Sequence, residues 1–315
     1  MRIRERLGQA LFERVAGPDG PKHRQRIHGT PGPRWFPQGS PITVVHGDAS
    51  MYVGGIRAVL LQTMQPRAMT AVAEHSGYRG DMWGRLARTS RYLAVTTFGT
   101  VEDAQQAVDA VRAIHDRVHG TMPDGTTYDA NDPHLLTWVH VAEIQSFLLA
   151  HRRFGAHPLD QAGYDEYVAQ AAFVSRKLGA VDPPTSEAEL HAAVERFRPE
   201  LRAIDHARDA VSYLIHQPEL PWLARPPYRV LVAAAIGLMP DWTREPLALP
   251  TLPVAHDRVA DALGRAATRT VRWATAGDRA LAVRLRAQAS VGAAAGSTAE
   301  RLGVTGTTPP STITP

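Results

Sequence analysis

The chain has 315 residues, 44% of them apolar and 21% charged, with a formal charge of +4 and no cysteine. That mix excludes wholesale disorder, and the dispersed charge leaves no footprint for nucleic acid. The missing thiol excludes disulfides, thiolate nucleophiles and cysteine-held zinc, iron–sulfur or haem iron, so any metal or haem looks first to the 14 histidines.

In chain order, residues 1–17 read as an amphipathic helix carrying Arg2, Arg4, Arg6 and Arg14. They lack the apolar core and small-residue cleavage site of a secretory signal. The longest apolar run, residues 230–239, is about half of the roughly 20 residues that span a bilayer, and reads as a buried helix. Together these features predict a cytoplasmic protein without an integral membrane segment. Pro31, Gly32, Pro33, Pro37, Gly39 and Pro41 make residues 29–41 an extended lead-in. Period-2 alternation is confined to short pieces such as residues 42–45. Helical signals then dominate. Residues 48–64 stop at Pro66; residues 82–97 follow an N-cap at Asp81; residues 101–119 follow Thr100 and end before Gly120. Pro123-Asp124-Gly125 is a turn, and Asn131-Asp132-Pro133 opens a helix over residues 134–154. Further helices cover residues 160–178, 186–215, 227–238 and 256–286, the longest of them broken. From Gln288 the small-residue run and the prolines near the end predict an unpacked tail. The expectation is an all-α protein of about nine or ten helices. It divides into an N-terminal helix and lead-in over residues 1–40, one helical domain over residues 41–287 and a tail over residues 288–315.

Several side chains break the apolar pattern. Val101, Ala104, Val108, Val111, His115 and Val118 recur at three- and four-residue steps, so His115 occupies an apolar position on one helix face. An imidazole there is either a hydrogen-bonded core group or a ligand. On the preceding helix Arg85, Thr89, Tyr92 and Thr96 form one stripe with Arg88 beside it. Two arginines and a hydroxyl on adjacent turns are either a solvated basic face or a donor group for an anion, an oxygen species or a haem propionate. The helix after Pro133 carries Trp138, His140 and Glu143, with His140 a second candidate buried histidine. Glu74-His75 adds a carboxylate and an imidazole, as a cap, a core polar pair or a site. No zinc-protease, phosphate-loop, nucleophile-elbow or dinucleotide motif is present.

An ordered set of segments carries a family likeness. It runs through Gly47-Asp48, Gly54-Gly55-Ile56-Arg57-Ala58-Val59-Leu60-Leu61-Gln62, Pro66 and Val72-Ala73-Glu74-His75-Ser76. It continues through Gly84-Arg85-Leu86-Ala87-Arg88-Thr89, Phe98-Gly99, Val111-Arg112-Ala113-Ile114-His115, Val118-His119-Gly120, Asp132-Pro133 and Leu136-Thr137-Trp138-Val139-His140. In that order, over about residues 40–240, the chain resembles the family of the rubber oxygenase (latex-clearing protein) catalytic domain and the fungal mycophenolic-acid-pathway oxygenase. The resemblance implies a globin-like core holding one b-type haem, with dioxygen as co-substrate. It implies His115 as the axial iron ligand, with His140 the competing ligand or a group beside it, and Arg85, Arg88 and Thr89 on the distal side. Rubber-cleaving members are longer and secreted, and some carry Lys where this chain has Arg88. The expected reaction is therefore oxygenation of a small apolar isoprenoid, lipid or secondary metabolite, oxidative C=C cleavage included, with Trp138 and residues 230–239 lining an apolar pocket. The rival expectations are a peroxide-dependent haem enzyme and a non-catalytic haem or lipid carrier.

Overall fold

The computed structural model describes residues 3–76, 80–250 and 254–301. Helices begin where a short polar side chain meets otherwise orphaned amides. Asp81 accepts from Gly84 N at 3.0 Å, Thr100 from Asp103 N at 3.1 Å, Asp132 from His134 N at 2.8 Å and Asp160 from Gly163 N at 2.8 Å. The elements are α1 (Ile3–Ala16), α2 (Gly20–Gly29), α3 (Pro41–His46), α4 (Met51–Gln62), α5 (Pro66–His75), α6 (Met82–Phe98) and α7 (Val101–His115). A small hairpin follows, β1 (His119–Thr121) against β2 (Thr127–Asp129), antiparallel with Gly120 opposite Tyr128. The rest is helical: α8 (Pro133–Phe154), α9 (Gln161–Leu178), α10 (Glu187–Phe197), α11 (Asp205–His216), α12 (Arg225–Gly237), α13 (Asp241–Arg244), α14 (Val254–Ala274) and α15 (Ala276–Arg301).

The core forms around α8. Trp138, Val141, Ala142 and Leu148 have no exposed surface, and α4, α9 and α10 pack against their helix. Each large aliphatic buried this way contributes about 1.5–3 kcal/mol. The α4–α8 approach is close because Gly54 lies on it: a Cβ there would stand 2.8 Å from Phe147 Cδ1 and 3.2 Å from Phe147 Cα. One turn on, Arg57 is 1% exposed and has no ion-pair partner among the described residues. Its guanidinium donates to Ser146 Oγ at 2.6 Å, Gln145 Oε1 at 3.0 Å and Leu238 O at 2.9 Å, tying α4 to α8 and to the C-terminal end of α12. Burial lowers Arg57 to about 10, so it stays charged at neutral pH.

The all-α expectation holds, with differences of detail. Among the described residues there are fifteen α-helices, more than the nine or ten expected, because short helices and breaks subdivide the longer stretches. Residues 20–29 form α2 ahead of the lead-in, and residues 42–45 belong to helix α3, where Pro41 at the first turn outweighs the brief alternation. The stretch 101–119 ends at His115, and the chain turns into β1 before reaching Gly120. Residues 276–301 are one helix, so the expected unpacked tail is helical as far as Arg301, and Ala289 is buried. Alanine's high helix propensity accounts for the extension; residues 302–315 lie outside the described residues. None of the described helices is long and apolar enough to cross a membrane.

Candidate active site

Helices α6 and α7 are joined by Gly99-Thr100 and pack side by side. Arg85 and His115 each lie roughly 20 Å from that shared turn, at 1.5 Å rise per residue. Both therefore sit at the same end of the pair.

On α6, helical spacing sets Arg85, Thr89, Tyr92 and Thr96 on one stripe. Arg85 is half-buried and donates through Nη1 to Ser76 Oγ at 2.6 Å. Burial, and then the charge of Arg88, lower its guanidinium from the ordinary value. Tyr92 is half-buried, its hydroxyl has no partner among the described residues, and burial followed by the Glu143 charge raises it. Thr89 lies between these two and is exposed. Exposure thus varies along the stripe, from half-buried Arg85 through exposed Thr89 to half-buried Tyr92. Arg88 points elsewhere: it is exposed and paired with Asp81 at 2.8 Å, an ion pair that solvent makes weak.

A further unpartnered polar group lies on α8. That helix is buried around most of its circumference, but in its middle turns one face keeps accessible surface, with Val139 36% exposed and Glu143 half-buried one turn later. The Glu143 carboxyl has no hydrogen-bond partner among the described residues, and burial pushes it up to about 7. Its charge contributes to raising Tyr92 on α6 and Tyr167 on α9, after burial. His46 of α3 bridges Thr97 Oγ1 at 2.8 Å and Tyr167 OH at 3.2 Å, and burial lowers it to about 3.

The two candidate iron ligands stand apart from these polar groups. His115 is the last residue of α7 and half-buried; its Nδ1 is buried without a partner. Burial lowers it, opposed by Asn131, Asp129 and Asp116, so the ring is neutral at pH 7. Asn131 is itself anchored, donating to Asp116 Oδ1 at 2.6 Å. His140 is 7% exposed, its Nε2 is likewise buried without a partner, and burial followed by the Arg176 charge lowers it to about 3. No hydrogen bond or ion pair among the described residues joins either histidine to Arg85, Arg88 or Thr89. Trp138 is fully buried with its ring centroid 5.3 Å from that of Phe197, and α12 packs into the core against α4 and α14. Glu74-His75 serves the hairpin, His75 Nε2 meeting Tyr128 OH at 3.1 Å.

Among the described residues no cluster of three histidine or acidic side chains could hold a bare metal ion. A haem asks less of the protein, one axial nitrogen, and two buried imidazole nitrogens without partners are present among the described residues. The residue that sequence reasoning left without a role is Glu143. Only the burial of the rest of its helix distinguishes it from an ordinary surface carboxylate.

The family model described as "ER-bound oxygenase mpaB/B'/Rubber oxygenase, catalytic domain" matches residues 43–276. No curated protein and no solved structure matches the chain.

Proposed function

The chain belongs to the mpaB/rubber oxygenase catalytic-domain family and is an oxidoreductase of the oxygenase class; from that premise we propose a haem b-dependent oxygenase acting on a small apolar substrate. The observation that carries the haem is the half-buried imidazole of His115, lowered by burial and with its Nδ1 left without a hydrogen-bond partner. His115 would hold the iron within a globin-like core formed by the domain of residues 41–287, with His140 the alternative holder. Bound haem would supply dioxygen binding and the redox chemistry that amino acid side chains lack.

The chain's own contribution is placement and electrostatics. Arg85 would offer a charged donor on one face of α6, with Thr89 adding a hydroxyl one turn on, both suited to orienting dioxygen or receiving developing negative charge. Arg88 reaches the same face only by leaving Asp81, an exchange of low cost at an exposed pair. Ser76 keeps the Arg85 fork oriented through its 2.6 Å hydrogen bond. The apolar walls would exclude water and leave the substrate, an isoprenoid, a lipid or a secondary metabolite, next to those donors. Oxidative cleavage of a C=C bond is the reaction this arrangement suits.

The test is spectroscopic. Protein expressed with haem precursor and purified should show a Soret band that shifts on dithionite reduction, and His115→Ala should lose it. Absence of any Soret band removes the haem reading. Loss in His140→Ala with retention in His115→Ala reassigns the ligand. Turnover that persists anaerobically with peroxide replaces dioxygen as co-substrate.

A further inference from the structure

We propose that the pocket between the C-terminal end of α8 and the arginine face of α14 binds a phosphate dianion, free or carried on a larger molecule, through Arg265 and Arg269. The site is built from its own residues and does not depend on the haem.

The pocket has a volume of about 250 Å³ and is lined by Phe154, Gly155, Ala156, Arg265, Arg269 and Arg272. The three arginines stand at i, i+4 and i+7 of α14, which sets them on one helix face. None of the lining residues is acidic. Two aspartates lie just outside, and both are spent. Asp48 accepts two bonds from Arg272, at 3.1 and 3.0 Å, one from Ser50 N at 2.8 Å and one from Ala156 N at 3.3 Å. Asp261 accepts from Arg153 Nε at 2.5 Å and from Arg265 Nε at 3.2 Å. Arg272 also donates to Phe154 O at 2.9 Å, which answers the partial negative charge that a helix carries at its C-terminal end.

What remains is cationic donor capacity with nothing to meet it. Arg269 makes no hydrogen bond or ion pair among the described residues. Arg265 spends only its Nε, so both of its Nη groups are free to donate. Four arginines, at 153, 265, 269 and 272, gather here around two aspartates, which leaves two positive charges. A phosphate dianion matches that charge, and planar guanidinium forks pair with its oxygens two at a time. A carboxylate supplies half the charge. An ammonium head is repelled by the lining. Size agrees, because clefts for drug-sized ligands run to about 300–1,000 Å³ and this one suits a head group. Val259, Leu263 and Trp273 are exposed on the α14 face beside the arginines, so the phosphate has two possible sources, the free ion or the head of a lipid.

The experiment uses the purified full-length protein at constant ionic strength. Inorganic phosphate and acetate are titrated by calorimetry, and phosphatidylcholine vesicles with and without phosphatidic acid are tested by flotation. For free phosphate the expected result is saturable binding, with acetate at least tenfold weaker. For a lipid head group it is flotation with the phosphatidic acid vesicles alone. In either arm Arg269→Gln should weaken binding at least tenfold, and Arg258→Gln, on the same helix outside the pocket, by less than twofold. Arg269 has no partner to lose, so its replacement breaks no contact of the fold. Failure of both phosphate probes in the wild type, equal affinity for acetate, unchanged binding in Arg269→Gln, or an equal loss in Arg258→Gln overturns the proposal. None of these readouts requires bound haem.

Discussion

Gly54 and Gly55 are adjacent in α4, yet the same substitution should have opposite effects at the two positions. A methyl group at Gly54 would lie 2.8 Å from Phe147 Cδ1, 3.2 Å from Phe147 Cα and 3.2 Å from Ser146 O. Carbon atoms rest about 3.5–4.0 Å apart, so turning the Phe147 ring is not enough and the α8 backbone must yield by a few tenths of an ångström. Overpacking of this kind costs about 1–3 kcal/mol, and the shift also disturbs the Ser146 hydroxyl that receives Arg57. Replacing a helical glycine by alanine returns about 1 kcal/mol. Because two of the three contacts are with backbone atoms, Gly54→Ala should be destabilising by about 1–2 kcal/mol net. At Gly55 nothing lies within 4 Å of the added carbon, so only the helix-propensity gain remains. The two variants should differ by about 2–3 kcal/mol, or roughly 4–6 °C in Tm at about 2 °C per kcal/mol for a chain of this size. Urea and thermal unfolding followed by circular dichroism, at unchanged m-value, measure this directly. Equal shifts, or a Gly54→Ala protein as stable as Gly55→Ala, would refute the claim that α4 and α8 meet through this position.

Other outcomes follow from charge. Burial raises Glu143 from 4.5 to about 7, so its neutral form favours the folded state below pH 4.5 and that contribution is lost as pH rises through 7. The loss is on the order of 3 kcal/mol, and Glu143→Gln should remove it, being more stable than wild type at pH 8 and not at pH 4.5 in matched urea titrations. His46 and His140, both lowered by burial to about 3, act in the opposite sense: their contribution is complete above pH 6.5 and is lost as pH falls toward 3. Replacing His46 by Phe should therefore flatten the acid limb of the stability profile. Arg272 grips Asp48 through two hydrogen bonds of 3.1 and 3.0 Å, with Asp48 only 8% exposed. Arg272→Met should cost about 3–5 kcal/mol in urea unfolding, because it strands a buried carboxylate.

Much of the fold was legible where the signal is local. The caps at Asp81 and Thr100 and the helix start at Asp132 were read from short polar side chains ahead of apolar periodicity, and each accepts an amide hydrogen bond. The end of α7 was not legible: Asp116, Arg117 and Val118 contain no glycine or proline, and the chain leaves the helix there to build the hairpin. Residues 42–45 show the reverse problem, an alternation too short to outweigh the proline one residue earlier. The α6 stripe could be drawn from spacing alone, but the burial of its members could not. Arg88 is separated from Arg85 by less than one turn and is turned out to Asp81. Glu143 was visible as a residue and silent as a site, because its meaning depends on what surrounds α8.

Arg57 bears on how the molecule comes apart. Its charge is answered only by dipoles: a hydroxyl on α8, an amide on α8 and the carbonyl at the end of α12. Fraying the last turn of α12 would leave a cation in the core short of one of its three acceptors, and separating α4 from α8 would remove the other two. Neither partial opening is a cheap excursion, so these three helices should lose their amide protection together in native-state hydrogen exchange, as one cooperative unit. A core stabilised in this way opens as a whole or stays closed.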